Sequence, residues 1–168
     1  MSAALALRER TAAAHEAVDA AFAGYDLADA GAYRAFLIAH ARALPAVEAW
    51  LGQRRGLPDW RPRAGALAED LATLGVAMPA PLLFALPDDE AAAWGALYVT
   101  EGSRLGGVML ARSVGEGLPT AYLSAGFEPG EWRALRAALD AALVDGAALD
   151  RAVIAAEETF GLYRQALL

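Results

Sequence analysis

The chain reads as an all-α protein folded as one domain over residues 1–168. Three observations predict this. Apolar residues recur at helical spacing almost throughout, and no strand-like alternation persists anywhere. Much of the 57% apolar content is alanine, the strongest helix former. Runs of glycine and proline, such as Gly52 to Pro62, Pro79 to Pro87 and Gly115 to Pro119, punctuate the periodic segments. The high apolar content does not signal a membrane protein, since no run of about 18 uncharged apolar residues occurs.

The elements follow in order. Residues 3–23 predict a first helix, ended by Gly24. It is charged by residue 8 and lacks a leader's apolar core, so it reads as part of the fold. Asp29 or a neighbour caps a second helix that runs to about Trp50. Gly52 to Arg63, with Gly56, Pro58 and Pro62, is a connecting loop, and a third helix covers about 64–75. Pro79, Pro81 and Pro87 break the next stretch. Asp88 is the expected cap of a long helix from about 89 to 114, with Glu90 in its first turn. Gly115, Gly117 and Pro119 end it, and a short helical turn is expected at 119–125. Two last helices cover about 129–143 and 147–166.

Composition narrows the function classes. Fourteen basic residues, all arginine, stand against 21 acidic ones, for a net charge of −7. No basic face for nucleic acid or an anionic membrane is evident. An anionic ligand would be held by arginine, histidine or backbone N–H. No cysteine is present, which excludes disulfides, thiolate ligands and a cysteine nucleophile and fits a reducing, cytoplasmic setting.

Only two histidines can carry imidazole chemistry. His15 shares a helix face with Arg8, Thr11, Val18, Asp19 and Phe22. Asp19, one turn on, can orient the ring so that its other nitrogen is offered to a metal. Arg8 lies two turns earlier, about 10 Å along the axis. The same spacing also suits an ordinary helix histidine with a polar i,i+4 contact. His40, between Ala39 and Ala41, reads as a packed or partly exposed helix residue. Neither histidine has a glutamate three residues before it, so the Glu-x-x-His pairs of a di-iron bundle are missing.

The stronger signal is glycine. Gly95, Gly102, Gly106 and Gly107 lie inside the long helix, and four interior glycines destabilise it by roughly 3–4 kcal/mol relative to alanine. Gly95, Gly102 and Gly106 fall at i, i+7 and i+11, within about 20° of one line, which leaves a strip without side chains. Such a strip allows close packing of another helix, a bend, or a flat ligand lying on bare backbone. No GxxxxGK[ST] phosphate loop is present.

The stretch Tyr98-Val99-Thr100-Glu101-Gly102-Ser103-Arg104-Leu105-Gly106-Gly107 resembles the distal-helix signature of the bacterial haem (heme) oxygenase family, especially the bacteriophytochrome-associated type. Leu7-Arg8-Glu9-Arg10-Thr11-Ala12-Ala13-Ala14-His15-Glu16 is similar to the family's proximal-helix signature. Tyr33-Arg34-Ala35-Phe36-Leu37, Leu44-Pro45-Ala46-Val47-Glu48 and Ala156-Glu157-Glu158-Thr159-Phe160 resemble further family segments, in the expected order.

The resemblance implies a single-domain haem oxygenase-like helical bundle with haem between the first helix and a glycine-kinked distal helix. It implies His15 as the axial ligand to the haem iron, with Asp19 its carboxylate partner. Arg8 would pair with a propionate and Phe160 would form pocket wall. Gly102, Gly106 and Gly107 would be the distal glycines, with Gly102, Ser103 and Gly106 at the catalytic face. Haem would be both cofactor and substrate, cleaved with O2 at a meso carbon to biliverdin, CO and iron. Electrons would come from an external donor of ferredoxin or flavodoxin type or a small reductant, and biliverdin offers a link to a bacteriophytochrome.

Two departures stand out. Ser103 occupies a position where many relatives carry a water-holding aspartate, and Ala12 one where some carry a second base. Tyr122, Arg133 or Arg136 would then assist Arg8, and Arg104 is expected to face solvent. The alternative is a haem carrier or sensor of the same fold with little turnover. A thiaminase-like enzyme lacks its cysteine here, and a structural bundle using the strip for helix packing remains the non-haem reading.

Overall fold

A computed structural model describes residues 1–168 as seven α-helices with no strand. The single helix expected over 3–23 is two, α1 (Ala3–Arg10) and α2 (Ala12–Phe22). Thr11 separates them. Its hydroxyl donates to the Leu7 carbonyl at 2.7 Å, the back-bonding that bends helices, and backbone bonds still cross the bend from Thr11 N to Leu7 O and His15 N to Thr11 O.

α3 (Ala30–Leu51) starts at Asp29, whose carboxylate accepts from Ala32 N, and runs through Pro45. α4 (Ala64–Thr73) follows the proline-bearing loop, and Gly75 closes it at φ 73°. α5 (Glu90–Ala111) is helical through all four of its glycines. Its cap is Asp89, not Asp88: Asp89 accepts from Ala92 N, whereas Asp88 pairs with Arg54. The helical turn expected at 119–125 is a single turn at 121–124, closed by Ser124 N to Thr120 O at 2.8 Å, in a segment that crosses between α5 and α6 without forming a helix. α6 (Glu131–Ala142) starts after Gly130, at φ 86°, two residues later than expected. α7 (Gly146–Gln165) is capped by Asp145.

α5 packs chiefly on α7, with α3 beneath both and α2 across α7. Leu37, Leu44, Val47, Leu67, Leu71 and Leu97 are fully buried between them. Arg10–Asp150 ties α1 to α7, and Arg151–Asp89 ties α7 to the cap of α5. No helix is long and apolar enough to cross a membrane.

The glycine strip divides. A Cβ on Gly95 would collide with the carbonyl of Ala152, so Gly95 serves close packing of α5 on α7. Gly107 has the same role toward the crossing segment, where a Cβ would meet Leu123 O at 3.0 Å. Gly106 has nothing within 4 Å of a Cβ, and Gly102 only the Trp132 ring, at 3.6 Å. The bare strip expected to include Gly95 is therefore bare only at its C-terminal part. Packing claims the rest.

Candidate active site

A cavity of about 550 Å³ opens between α2 and α5. Its lining includes Arg8, His15, Asp19, Gly102, Ser103, Gly106, Gly107 and Phe160, but not Gly95 or Arg133. Its volume is that of a pocket for a cofactor-sized ligand.

On the α2 side the His15 side chain is 62% exposed, although it faces a cavity. The ring borders the slot, where it is open to a ligand. Asp19 Oδ2 lies 3.5 Å from its Nε2, longer than an ordinary hydrogen bond. Phe160, from α7, stacks on the imidazole with centroids 5.3 Å apart and planes 15° from parallel.

The opposite wall is the C-terminal half of α5. Gly102 and Gly106 present backbone, with Val99, Leu105 and Leu110 beside them. Ser103 does not point freely into the slot. Its hydroxyl donates to Thr100 O at 2.7 Å and accepts from Arg63 at 2.5 Å.

The mouth and the deep end differ in chemistry. Arg8 and Arg136 are exposed at the rim, and both guanidiniums act on the Tyr98 hydroxyl, opposing the rise that burial causes there. Arg133 is exposed and does not line the cavity. Tyr122, expected as a further aid to Arg8, is instead 2% exposed at the deep end, and its hydroxyl lies 2.6 Å from His40 Nδ1.

That deep end is what sequence reading missed. His40 stacks on Phe36 at 4.3 Å and touches the rings of Phe22, Tyr122 and Tyr163. Burial, aided by the Arg63 charge, lowers its pKa to about 3, so the ring is neutral. Its neutral Nδ1 can accept the Tyr122 proton. The Tyr163 hydroxyl and Arg63 Nε are buried with no partner. Arg63 also donates to Thr100 O at 2.7 Å and lies over the Tyr122 ring. Two buried donors without acceptors in a cavity are the signature of an ordered-water position.

Arg104 also departs from expectation. It is 2% exposed, not solvent-facing. It pairs with Glu101 at 2.8 Å and donates to the carbonyls of Ala125 and Arg61. The i,i+3 spacing of Glu101 and Arg104 was the available signal.

A slot with an uncovered imidazole on one face, bare backbone on the other and guanidiniums at the rim suits a flat ring carrying a metal and carboxylates. Haem has these features, so the residues present fit it.

No protein-family model matches the chain. A heme oxygenase of Xanthomonas campestris pv. campestris is 36% identical over 154 residues, covering 83% of this chain and 90% of that protein. The heme oxygenase of Neisseria meningitidis, solved with NO and CO bound, superimposes with a TM-score of 0.82 at 25% identity, covering 99% of this chain and 90% of that one. With most of both relatives matched from end to end, the chain belongs to the haem oxygenase family.

Proposed function

We propose that this chain opens haem at a meso carbon to biliverdin, CO and iron, working in the cytoplasm with O2 and an external electron donor. The observation that carries the reading is the juxtaposition of His15 and the backbone of Gly106 in one slot. Haem, when bound, supplies both the iron at which O2 is activated and the ring that is oxidised.

The chain's own residues do the rest. One ring nitrogen of His15 would hold the haem iron, with Asp19 placed to accept from the other and Phe160 holding the ring plane. Imidazole is a neutral ligand without the electron push of a thiolate. Gly102 and Gly106 would let a flat ring lie close against the α5 backbone, giving steric contact from a wall that carries no acidic side chain at these positions. Arg8 and Arg136 would pair with the carboxylates of the bound ring at the mouth and so orient it. Gly107 keeps the crossing segment close to α5.

At the deep end, Tyr163, Arg63 and the Tyr122–His40 pair hold water and supply protons. This wall stands in for the aspartate that Ser103 replaces. With no cysteine to hold an iron–sulfur cluster, electrons arrive from a ferredoxin- or flavodoxin-type protein or a small reductant. The biliverdin made is suited to supply a bacteriophytochrome.

Hemin titration of wild type and His15→Ala, followed by ascorbate in air with catalase, tests this reading. A Soret band that depends on His15 and is replaced by a biliverdin spectrum supports it. A His15-dependent band without turnover under any donor would identify a haem carrier or sensor instead. Absence of stoichiometric binding would overturn both.

A further inference from the structure

Two buried carboxylates lie behind the deep wall, and neither lines the cavity. Glu48, on α3, is 6% exposed, and Asp70, on α4, is 1% exposed. Neither forms a side-chain ion pair. Glu48 Oε2 accepts from Arg63 N at 2.7 Å and its Oε1 from Ala64 N at 2.9 Å. Asp70 Oδ1 accepts from Ala121 N at 3.0 Å and its Oδ2 from Tyr122 N at 2.9 Å. Burial raises both above their ordinary values, against the pull of these backbone N–H groups.

Burying a carboxylate is unfavourable, and a helix end or a turn is ordinarily satisfied more cheaply by a local serine, aspartate or water. α4 has no side-chain cap of its own, and Glu48 takes that place from α3. Each carboxylate fastens the backbone of a residue whose side chain enters the cavity: Arg63 for Glu48, Tyr122 for Asp70. The attachments close a ring. It runs from α3 at Glu48 to the start of α4, along α4 to Asp70, across to Tyr122, and back to α3 at His40. His40 and Glu48 are eight residues apart, about 12 Å along the helix axis. Tyr122 sits in a short turn closed by Ser124 N to Thr120 O at 2.8 Å and by Ala125 N to Tyr122 O at 3.2 Å, and its own amide N–H is held by Asp70. The end of the turn that carries its hydroxyl to His40 is thus anchored on α4.

We propose that Asp70 and Glu48 are positioning residues that act through Tyr122 and Arg63 to assemble the polar wall at the deep end of the slot. The functional meaning of that wall rests on the haem oxygenase reading above, whereas the linkage itself is testable without haem.

The experiment is nitrogen NMR of the His40 ring in the ligand-free chain, on wild type, Tyr122→Phe, Asp70→Asn, the Tyr122→Phe/Asp70→Asn pair, and Leu71→Ala as a destabilised control. Expected is a change in the His40 Nδ1 shift in Asp70→Asn that matches the change in Tyr122→Phe. The double variant adds nothing further, as two residues acting in one chain require. Leu71→Ala leaves the signal in place. An unchanged His40 signal in Asp70→Asn, with only a lower Tm, would reduce Asp70 to a structural role and overturn the proposal. Glu48→Gln is expected to shift the Arg63 Nε–H signal, and an unmoved signal counts against the Glu48 arm. In wild type, hydrogen exchange at the Ala121 and Tyr122 amides is expected to be slow, and exchange as fast as in an open turn overturns the clamp even if Asp70→Asn does not fold. Hemin titration of wild type separately tests the reading of the site.

Discussion

The His15 imidazole lies face to face with the Phe160 ring, 5.3 Å between centroids, at the junction of α2 and α7. An exposed histidine on a helix with no buried residue has little else to fix its plane. Phe160→Ala is therefore expected to weaken hemin binding by about 2- to 12-fold, from the roughly 0.5–1.5 kcal/mol of a stacked ring pair. His15→Ala is expected to abolish the axial-ligand signature while Tm stays nearly constant, because exposed substitutions change stability by about 0.5 kcal/mol or less. A Tm fall of many degrees in His15→Ala would show the residue to be structural.

The two ends of the glycine strip respond oppositely to alanine. Gly106→Ala meets no atom and gains about 0.8–1 kcal/mol of helix propensity, so the ligand-free chain becomes more stable. Its new methyl enters the slot, and hemin binding or turnover declines. Gly95→Ala is outside the slot and presses on Ala152 backbone, with an expected loss of about 1–3 kcal/mol. Thermal melts with and without hemin separate the two. Equal effects on melting at both positions would show that the strip is not divided.

At the rim, Arg8→Ala and Arg136→Ala are each expected to weaken hemin binding only a few-fold, since exposed ion pairs contribute about 0.2–1 kcal/mol. The loss shrinks at high salt. The double variant is expected to change the proportions of biliverdin isomers, read by chromatography of the product, because ring rotation is set at this edge. An unchanged isomer pattern would place orientation elsewhere.

His40 makes stability fall on acidification. Its folded value, about 3, lies below the unfolded value near 6.5, so between these limits the unfolded chain binds the extra proton. Its contribution is complete above pH 6.5 and declines by about 1.4 kcal/mol per unit as pH falls toward 3. Asp70 and Glu48, raised in the fold, act in the opposite sense, becoming less unfavourable as acid protonates them. His40→Gln is expected to show a shallower loss of stability between pH 6.5 and 4.5 than wild type, by urea titration. Parallel slopes would mean that His40 is solvated in solution.

Arg104→Ala leaves Glu101 buried without its cation, and the expected loss is about 3–5 kcal/mol. The melting temperature should fall by roughly 6–20 °C at this chain length. Arg112→Ala, on the exposed end of the same helix, is the matched control and should be nearly neutral.

Local features were legible in the sequence, and long-range ones were not. Arg8, His15 and Asp19 lie close in the chain, so periodicity brought them to one cavity although α1 ends between Arg8 and His15. The Asp29 cap and the bare backbone at Gly102 and Gly106 were equally local. The deep wall joins Arg63 from a loop, His40 from α3, Tyr122 from a crossing segment and Tyr163 from α7. No spacing rule connects positions so far apart. The bend at Thr11 escaped because a threonine hydroxyl bonding back one turn breaks no apolar period. The role of Gly95 stayed open between packing, a bend and a ligand face for a related reason: a glycine line on one helix says nothing of which neighbour approaches each turn.

The contact of Gly95 with Ala152 also gives the slot one fixed jaw. Backbone against backbone, α5 and α7 cannot slide without a clash, so Phe160 and the α5 wall keep a constant spacing. The facing jaw is α2, which buries no residue and joins α1 at the Thr11 bend. A wide, flat molecule thus meets a gauge set by α5 and α7 on one side and a wall without a buried side chain on the other.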